Sequence, residues 1–167
     1  LLLLLSQCAL FAQEPIFSAT SSISSYGSVS SPANEGFTKI IDGDIETKFL
    51  DFNYTDGLGF TVNLNGALKT ATSMEFTTAN DSPERDPMNY QISGSTNGSS
   101  YTLITSGTIV CNTARFNTTT YNFTNNGAYS YYRLVFTNQC NTIEAMIQIA
   151  EIQLFHTELS TEQFTKE

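Results

Sequence analysis

Basic residues are scarce in this sequence: 7 Lys and Arg stand against 16 Asp and Glu, for a formal net charge of −9. A phosphate-binding surface needs clustered cations, so nucleic acid is excluded as a partner, and anionic membrane surfaces are disfavoured for the same reason. Histidine is scarcer still. The single one, His156, leaves no Ser-His-Asp or Cys-His arrangement, and two-carboxylate glycosidase chemistry needs a cleft that a small β-domain rarely forms. The expectation is a chain with no catalytic residues. No helical period is sustained anywhere, and no internal repeat is visible.

Long apolar runs are also missing. Leu1 to Leu5, followed by Ser6 to Gln13, is far shorter than the ~20 residues of a membrane-spanning helix. Residues 1–13 read as the end of a secretory signal whose charged leading part precedes Leu1, with cleavage near Ala12 or Gln13. Cys8 as a lipoprotein anchor is the other reading, and Gln7 is a poor small residue before it. If Cys8 leaves with the signal, Cys111 and Cys140 remain in an oxidising, secreted or cell-surface setting. A disulfide between them is expected, worth ~3–4 kcal/mol for a loop of about 30 residues, with two free buried thiols as the alternative.

What the chain does have is 40% hydrophobic and 12% aromatic residues, enough for one domain over residues 14–156. Phe60, Val62 and Leu64 alternate with Thr61 and Asn63, a half-buried strand closed by Asn65-Gly66. Met74 and Phe76 repeat the pattern, then Asn80 to Pro87 carries two prolines and four charges that cannot continue a ladder. Tyr90 and Ile92, the turn Ser95-Thr96-Asn97-Gly98, and Tyr101 and Leu103 form a hairpin, with Asn97-Gly98 supplying positive backbone angles. Tyr121 and Phe123 alternate before a turn at Asn125-Asn126-Gly127. Tyr132, Leu134 and Phe136 line one strand face, with Tyr131, Arg133 and Val135 on the other.

In the last strand, Ile147 and Ile149 share one parity and Ile152 and Leu154 the other. The break at Ala150 and Glu151 is what a β-bulge produces. Seven or eight short strands with regular turn signals predict an all-β fold, an antiparallel sandwich. Residues 157–167 read as a polar tail or linker into a longer parent chain.

Between two apolar anchors, Ile41 to Leu50 concentrates oxygen donors. Asp42 and Asp44 flank Gly43, and Thr47 adds a hydroxyl. Such ligands suit calcium rather than zinc or copper. An EF-hand is excluded, because the sixth and twelfth loop positions hold Thr47 and Asn53 instead of Gly and Glu. Taken alone, the segment also reads as an ordinary solvated turn with two aspartates.

The ordered set Asn34-Glu35-Gly36, Ile41-Asp42-Gly43-Asp44, Thr47-Lys48-Phe49, Tyr90 to Ser95 before Asn97-Gly98, Tyr132-Arg133-Leu134 and Ile149-Ala150-Glu151-Ile152 resembles the discoidin-like family. That family holds the coagulation factor V and VIII C-type domains and galactose-binding-like carbohydrate-binding modules. The match runs from about Ala33 to Phe155, and the family fold is an eight-stranded jelly roll. The resemblance implies one structural calcium, held by the side chains of Asp42, Asp44, Thr47 and Glu151 and the carbonyl of Lys39.

It also implies ligand binding by loops at one end of the sandwich. Asn80, Asp81 and Arg85 are the polar candidates, with Tyr54, Phe52 or Tyr129 as the aromatic. The alternative for Arg85 is an internal pair with Glu84, Asp81 or Asp86 that pins this Pro-bounded loop. The absence of tryptophan and the position of His156 remove the usual aromatic-plus-His galactose site. The expected partner is a glycan or surface polymer, with an extracellular adhesion or structural role toward a protein as the alternative. Five Asn-x-Ser/Thr sequons, at Asn53, Asn80, Asn97, Asn117 and Asn122, decide nothing, since about three or four would arise by chance in so Ser- and Thr-rich a chain.

Overall fold

The computed structural model describes residues 11–141 and 144–159. Where apolar side chains alternate, the chain forms strands. They are β1 (Phe11–Pro15), β2 (Ser22–Tyr26), β3 (Phe49–Asp51), β4 (Gly59–Asn63), β5 (Ser73–Thr77), β6 (Pro87–Ser95), β7 (Thr102–Thr108), β8 (Thr118–Asn122), β9 (Tyr131–Gln139), β10 (Ile147–Ile149) and β11 (Glu151–Leu159). One sheet runs β1-β11-β5-β8, a second β2-β4-β9-β6-β7, and β10 pairs β3 separately. Every pairing is antiparallel. The all-β sandwich is as expected, but the described residues form eleven strands rather than eight. The short β3–β10 pair and the β1 edge have too few alternating residues to be read locally.

The two larger sheets meet through the predicted inner faces. Phe60, Val62, Ile92, Leu134 and Phe136 from one side face Met74, Phe76, Ile152 and Leu154 from the other, each at most 1% exposed. Burying side chains of this size stabilises by about 1.5–3 kcal/mol apiece. Tyr132 is buried among them, and its hydroxyl donates to the Lys69 carbonyl at 2.6 Å while accepting from the Ala71 N–H at 3.0 Å. Its polar tip is therefore satisfied at the end of the core.

Three local expectations change. The parity break at Ala150 is a change of sheet rather than a bulge: β10 pairs β3, β11 pairs β5, and buried Ala150 between them donates its N–H to the Thr77 carbonyl at 3.2 Å. An inserted residue and a new partner both reverse which face points inward, and parity alone does not separate them. A real register shift lies in the β6–β7 hairpin at Ile92/Ser93. There Ile104 takes the core side and Leu103, paired with Ser93, is turned out to 58% exposure. In the hairpin turn only Gly98 has a positive φ, 72°. Asn97 instead accepts the N–H groups of Ser99 and Ser100 through Oδ1, at 2.9 and 3.0 Å.

Phe11 to Gln13, from the expected leader, pair with Thr157 to Leu159 of the expected tail. The boundaries drawn after residue 13 and before residue 157 therefore fall inside a strand pair. The rest of both segments lies outside the described residues.

Candidate functional site

A 3-10 turn at Phe37–Ile41 buries Ile40 and delivers the chain to Asp42. Gly43 follows with φ of 77°, a conformation that side chains with a Cβ rarely adopt. This sharp turn folds the loop on itself. Asp42 accepts the Asp44 N–H through Oδ1 at 3.1 Å, and through Oδ2 it accepts the Thr47 hydroxyl at 2.9 Å and the Lys39 ammonium at 3.0 Å. Asp44 in turn accepts the Glu46 N–H at 3.0 Å. Glu151, 108 residues away at the head of β11, accepts the Gly43 N–H through Oε2 at 3.1 Å. The structure thus joins the early loop to the last sheet strand through the pair of segments named from sequence.

The two carboxylates in contact with Gly43 and Asp44 are electrostatically unlike. Burial works against the Asp42 charge, but hydrogen bonds from Lys39, Thr47 and the Asp44 N–H outweigh it and hold its pKa below the usual value. Burial pushes Glu151 up to about 8; the Gly43 N–H offsets part of this, and the Asp42 and Asp44 charges add to it. Acid is thus in excess here, and the Lys39 ammonium is the cation paired with it. The donors are oxygens only, which fits calcium. Among the described residues, no three carboxylate, imidazole or thiol groups stand close enough to cage a metal alone. The Thr47 hydroxyl and the Lys39 carbonyl would have to complete a shell around Asp42, Asp44 and Glu151.

The second candidate region is the end of the sandwich where β6 begins and β9 finishes, facing each other at Pro87 and Gln139. Four loops are laced together there. Cys111 and Cys140 form the expected disulfide, with sulfurs 2.03 Å apart. Arg115 grips buried Asp86 with two N–H groups, the Nη1–Oδ1 distance being 3.1 Å, and also donates to the Asp81 carbonyl at 2.9 Å. Burial pushes the Asp86 carboxyl up, and Arg115 works against that shift. Lys48, itself buried, donates to Asp81 Oδ1 at 2.7 Å and to Gln148 Oε1 at 3.2 Å. Gln148 closes the net by donating to the Asp81 and Ser82 carbonyls.

The ligand candidates separate on this rim. Arg85 is tied down, but by Glu144 at 2.8 Å rather than by the acids next to it in sequence. Asp81 has one oxygen committed to Lys48, and its side chain is half exposed. Asn80 is exposed beside it. Tyr54 is 7% exposed, its hydroxyl donating to Asp56 at 2.9 Å, so it presents no ring to solvent. Phe52 stays exposed. Tyr129 packs edge-on against Tyr132 at 6.0 Å, in the neighbourhood of Gly94 and Gly127 at the opposite end.

Sequence reasoning passed over Phe116. This residue is 37% exposed, and its N–H reaches back to the Thr78 carbonyl at 3.1 Å, in the segment that leads to Asn80. Its φ is 54°, an uncommon conformation for a bulky residue, and such outliers collect at functional sites. Nothing local announces it, since the hydrogen bonds that hold this turn come from Thr78 and Ala79, far away in sequence.

No family model matches the chain, and no curated protein does. Solved structures do. The family 32 carbohydrate-binding module of NanJ from Clostridium perfringens, in complex with galactose, superposes with a TM-score of 0.69 at 20% identity, covering 87% of this chain and 100% of that one. The family 32 module of AlyQ, in complex with 4,5-unsaturated mannuronic acid, gives 0.62 at 20% identity over 86% and 98% of the two chains. An F5/8 type C domain from Bacteroides fragilis gives 0.66 at 17% identity over 88% and 98%. The chain has the fold of the family 32 modules and F5/8 type C, or discoidin-like, domains.

Proposed function

We propose that this chain is a secreted, calcium-stabilised carbohydrate-binding module that presents its glycan contacts on the rim and performs no catalysis of its own. The observation that carries the reading is Phe116, held exposed on a left-handed backbone whose N–H meets the Thr78 carbonyl, in the segment that leads to exposed Asn80 and the half-exposed carboxylate of Asp81. An aromatic face covers the apolar C–H surface of a sugar ring, while an adjacent amide and carboxylate take its hydroxyls. Arg85, Arg115 and Lys48 hold these groups in place by pairing with acids inside the rim. The Cys111–Cys140 bond accords with an oxidising compartment. The neighbours of the same fold that hold galactose or an unsaturated mannuronic acid support a sugar ligand.

Calcium belongs to this proposal as a structural ion. Asp42, Asp44, Thr47, Glu151 and the Lys39 carbonyl would hold it, and it would neutralise the acid excess that joins the Gly43 turn to β11. Its contribution would be stability, through binding the folded state alone.

Glycan-array screening followed by titration of Phe116→Ala and Asn80→Ala tests the rim. Loss of an aromatic anchor should weaken the best glycan by about tenfold or more. An unchanged affinity in Phe116→Ala, or an array silent for the parent protein with capture of an extracellular protein instead, would overturn the reading in favour of an adhesion domain.

A further inference from the structure

The outward face of the five-stranded sheet carries a construction that the rim and the clasp do not use. Arg133 points away from the core on β9, and its Nε donates to Thr61 Oγ1 on the neighbouring strand β4 at 3.1 Å. Its guanidinium lies 3.7 Å from the ring centroid of Tyr101 and 4.3 Å from that of Tyr26. A cation held over two rings by the attraction of their π faces has little freedom to reorient. With the guanidinium carbon over two rings and Nε bound to Thr61, what remains for a ligand is the Nη edge. That edge is the part of arginine that matches a carboxylate through two parallel N–H···O bonds.

The surroundings specify the ligand further. The group opens into a cleft of about 320 Å³ bordered by Ser24, Asn63 and Tyr131, with no Asp or Glu in its lining. Lys39, Lys48, Arg85 and Arg115 each pair with an acid, whereas Arg133 forms no ion pair among the described residues. In a chain of net charge −9, this is a local reversal of sign in a pocket walled by hydroxyls, an amide and phenols. Tyr26 itself is 43% exposed.

We infer that this sheet face is a binding site for an acidic polysaccharide, in which a uronate carboxylate meets the Nη edge of Arg133 and neighbouring sugar hydroxyls meet Thr61, Asn63 and the tyrosines. The hydroxyl-rich walls favour a uronate chain over an acidic peptide, whose side chains and backbone offer fewer hydroxyls to pair. The inference does not depend on the rim, which lies elsewhere on the sandwich and is tested with different residues.

The experiment titrates the full chain with galacturonide, mannuronide and glucuronide hexamers, their methyl esters, and hexaglutamate. At least one uronate should bind, about tenfold more tightly than its ester, as expected for a hydrogen-bonded charge pair. Arg133→Gln should abolish that preference, and Tyr101→Ala should weaken binding. Ser24→Glu, at an exposed position on edge strand β2, adds a repelling acid and should weaken uronate binding even if Arg133→Gln fails to fold. Silence on all three uronates overturns the inference, as does equal affinity for acid and ester, equal binding of hexaglutamate, or an acid preference that survives Arg133→Gln. In the last case the carboxylate is read elsewhere and the sheet face falls.

Discussion

The rim and the clasp are both rich in acids, yet they neutralise them differently. On the rim each cation has its own carboxylate: Lys48 with Asp81, Arg85 with Glu144, Arg115 with Asp86. In the clasp, Lys39 is the cation that serves Asp42, and Asp42 and Asp44 add to the penalty on half-buried Glu151. Paired charges fix geometry, so the rim reads as a scaffold on which a few groups such as Asn80 and Phe116 are displayed. The clasp leaves acid in excess of its one paired lysine, which is why the proposed calcium is placed there.

The contrast breaks most sharply at Asp86. Asp86→Ala leaves the 15% exposed Arg115 side chain without its counter-ion and should cost about 3–5 kcal/mol in urea denaturation. A loss no larger than that of an exposed pair would show that the rim is not held by that bridge. Calcium addition comes next. At ~100 times its dissociation constant it should stabilise by about 2.7 kcal/mol, and Glu151→Gln should remove most of that gain. A melting point unmoved by chelator in low-calcium buffer would end the clasp reading.

A pH series in chelator separates the clasp from the rim again. Glu151 keeps its proton up to about 8 in the fold, against 4.5 for the ordinary carboxyl. Below 4.5 both states hold the proton and nothing is lost. As pH rises from there the unfolded chain releases its proton first, so stability should fall progressively until about 8. Bound calcium should reverse this trend, since its ligands must be deprotonated. Glu151→Gln should flatten the apo profile, and an unchanged slope in that variant would assign the dependence elsewhere.

Phe116→Gly should raise stability by about 1 kcal/mol, because glycine takes the left-handed backbone without penalty, while glycan binding falls. A stability loss would show that the ring packs rather than displays. The smallest effect belongs to Lys39→Ala. Its side chain and that of Asp42 are 33% and 25% exposed, so the pair should be worth less than about 1 kcal/mol. Calcium affinity should nevertheless increase, because the ammonium competes for the same Asp42 oxygen.

The inner faces were legible because burial on a strand repeats every second residue. Phe60 and Val62, Met74 and Phe76, and the Tyr132 to Phe136 face all point into the core as their spacing predicts. The Asp42 to Thr47 loop and Glu151 were legible as a set only through their resemblance to a known ordered pattern. Partner choice was not legible. Arg85 has three acids within four residues in sequence, yet Glu144 holds it across the rim. Tyr54 looks like a surface aromatic beside a turn, but its hydroxyl reaches Asp56 and its ring is buried. Leu103 fits its strand until the register shift in the hairpin turns it outward.

From the sequence alone follow the all-β class, most core-facing positions, the Cys111–Cys140 bond and the pairing of an early acidic loop with Glu151, because each rests on local periodicity, on residue counts or on an ordered motif. Only the tertiary structure decided that the chain changes sheets at Ala150, that Phe116 is exposed while Tyr54 is buried, and that the Arg133 guanidinium lies over the rings of Tyr26 and Tyr101. Those outcomes depend on which strands and loops close on one another over long separations. Side-chain alternation encodes a face, and the partner across that face is selected by packing and charge once the sheets have met.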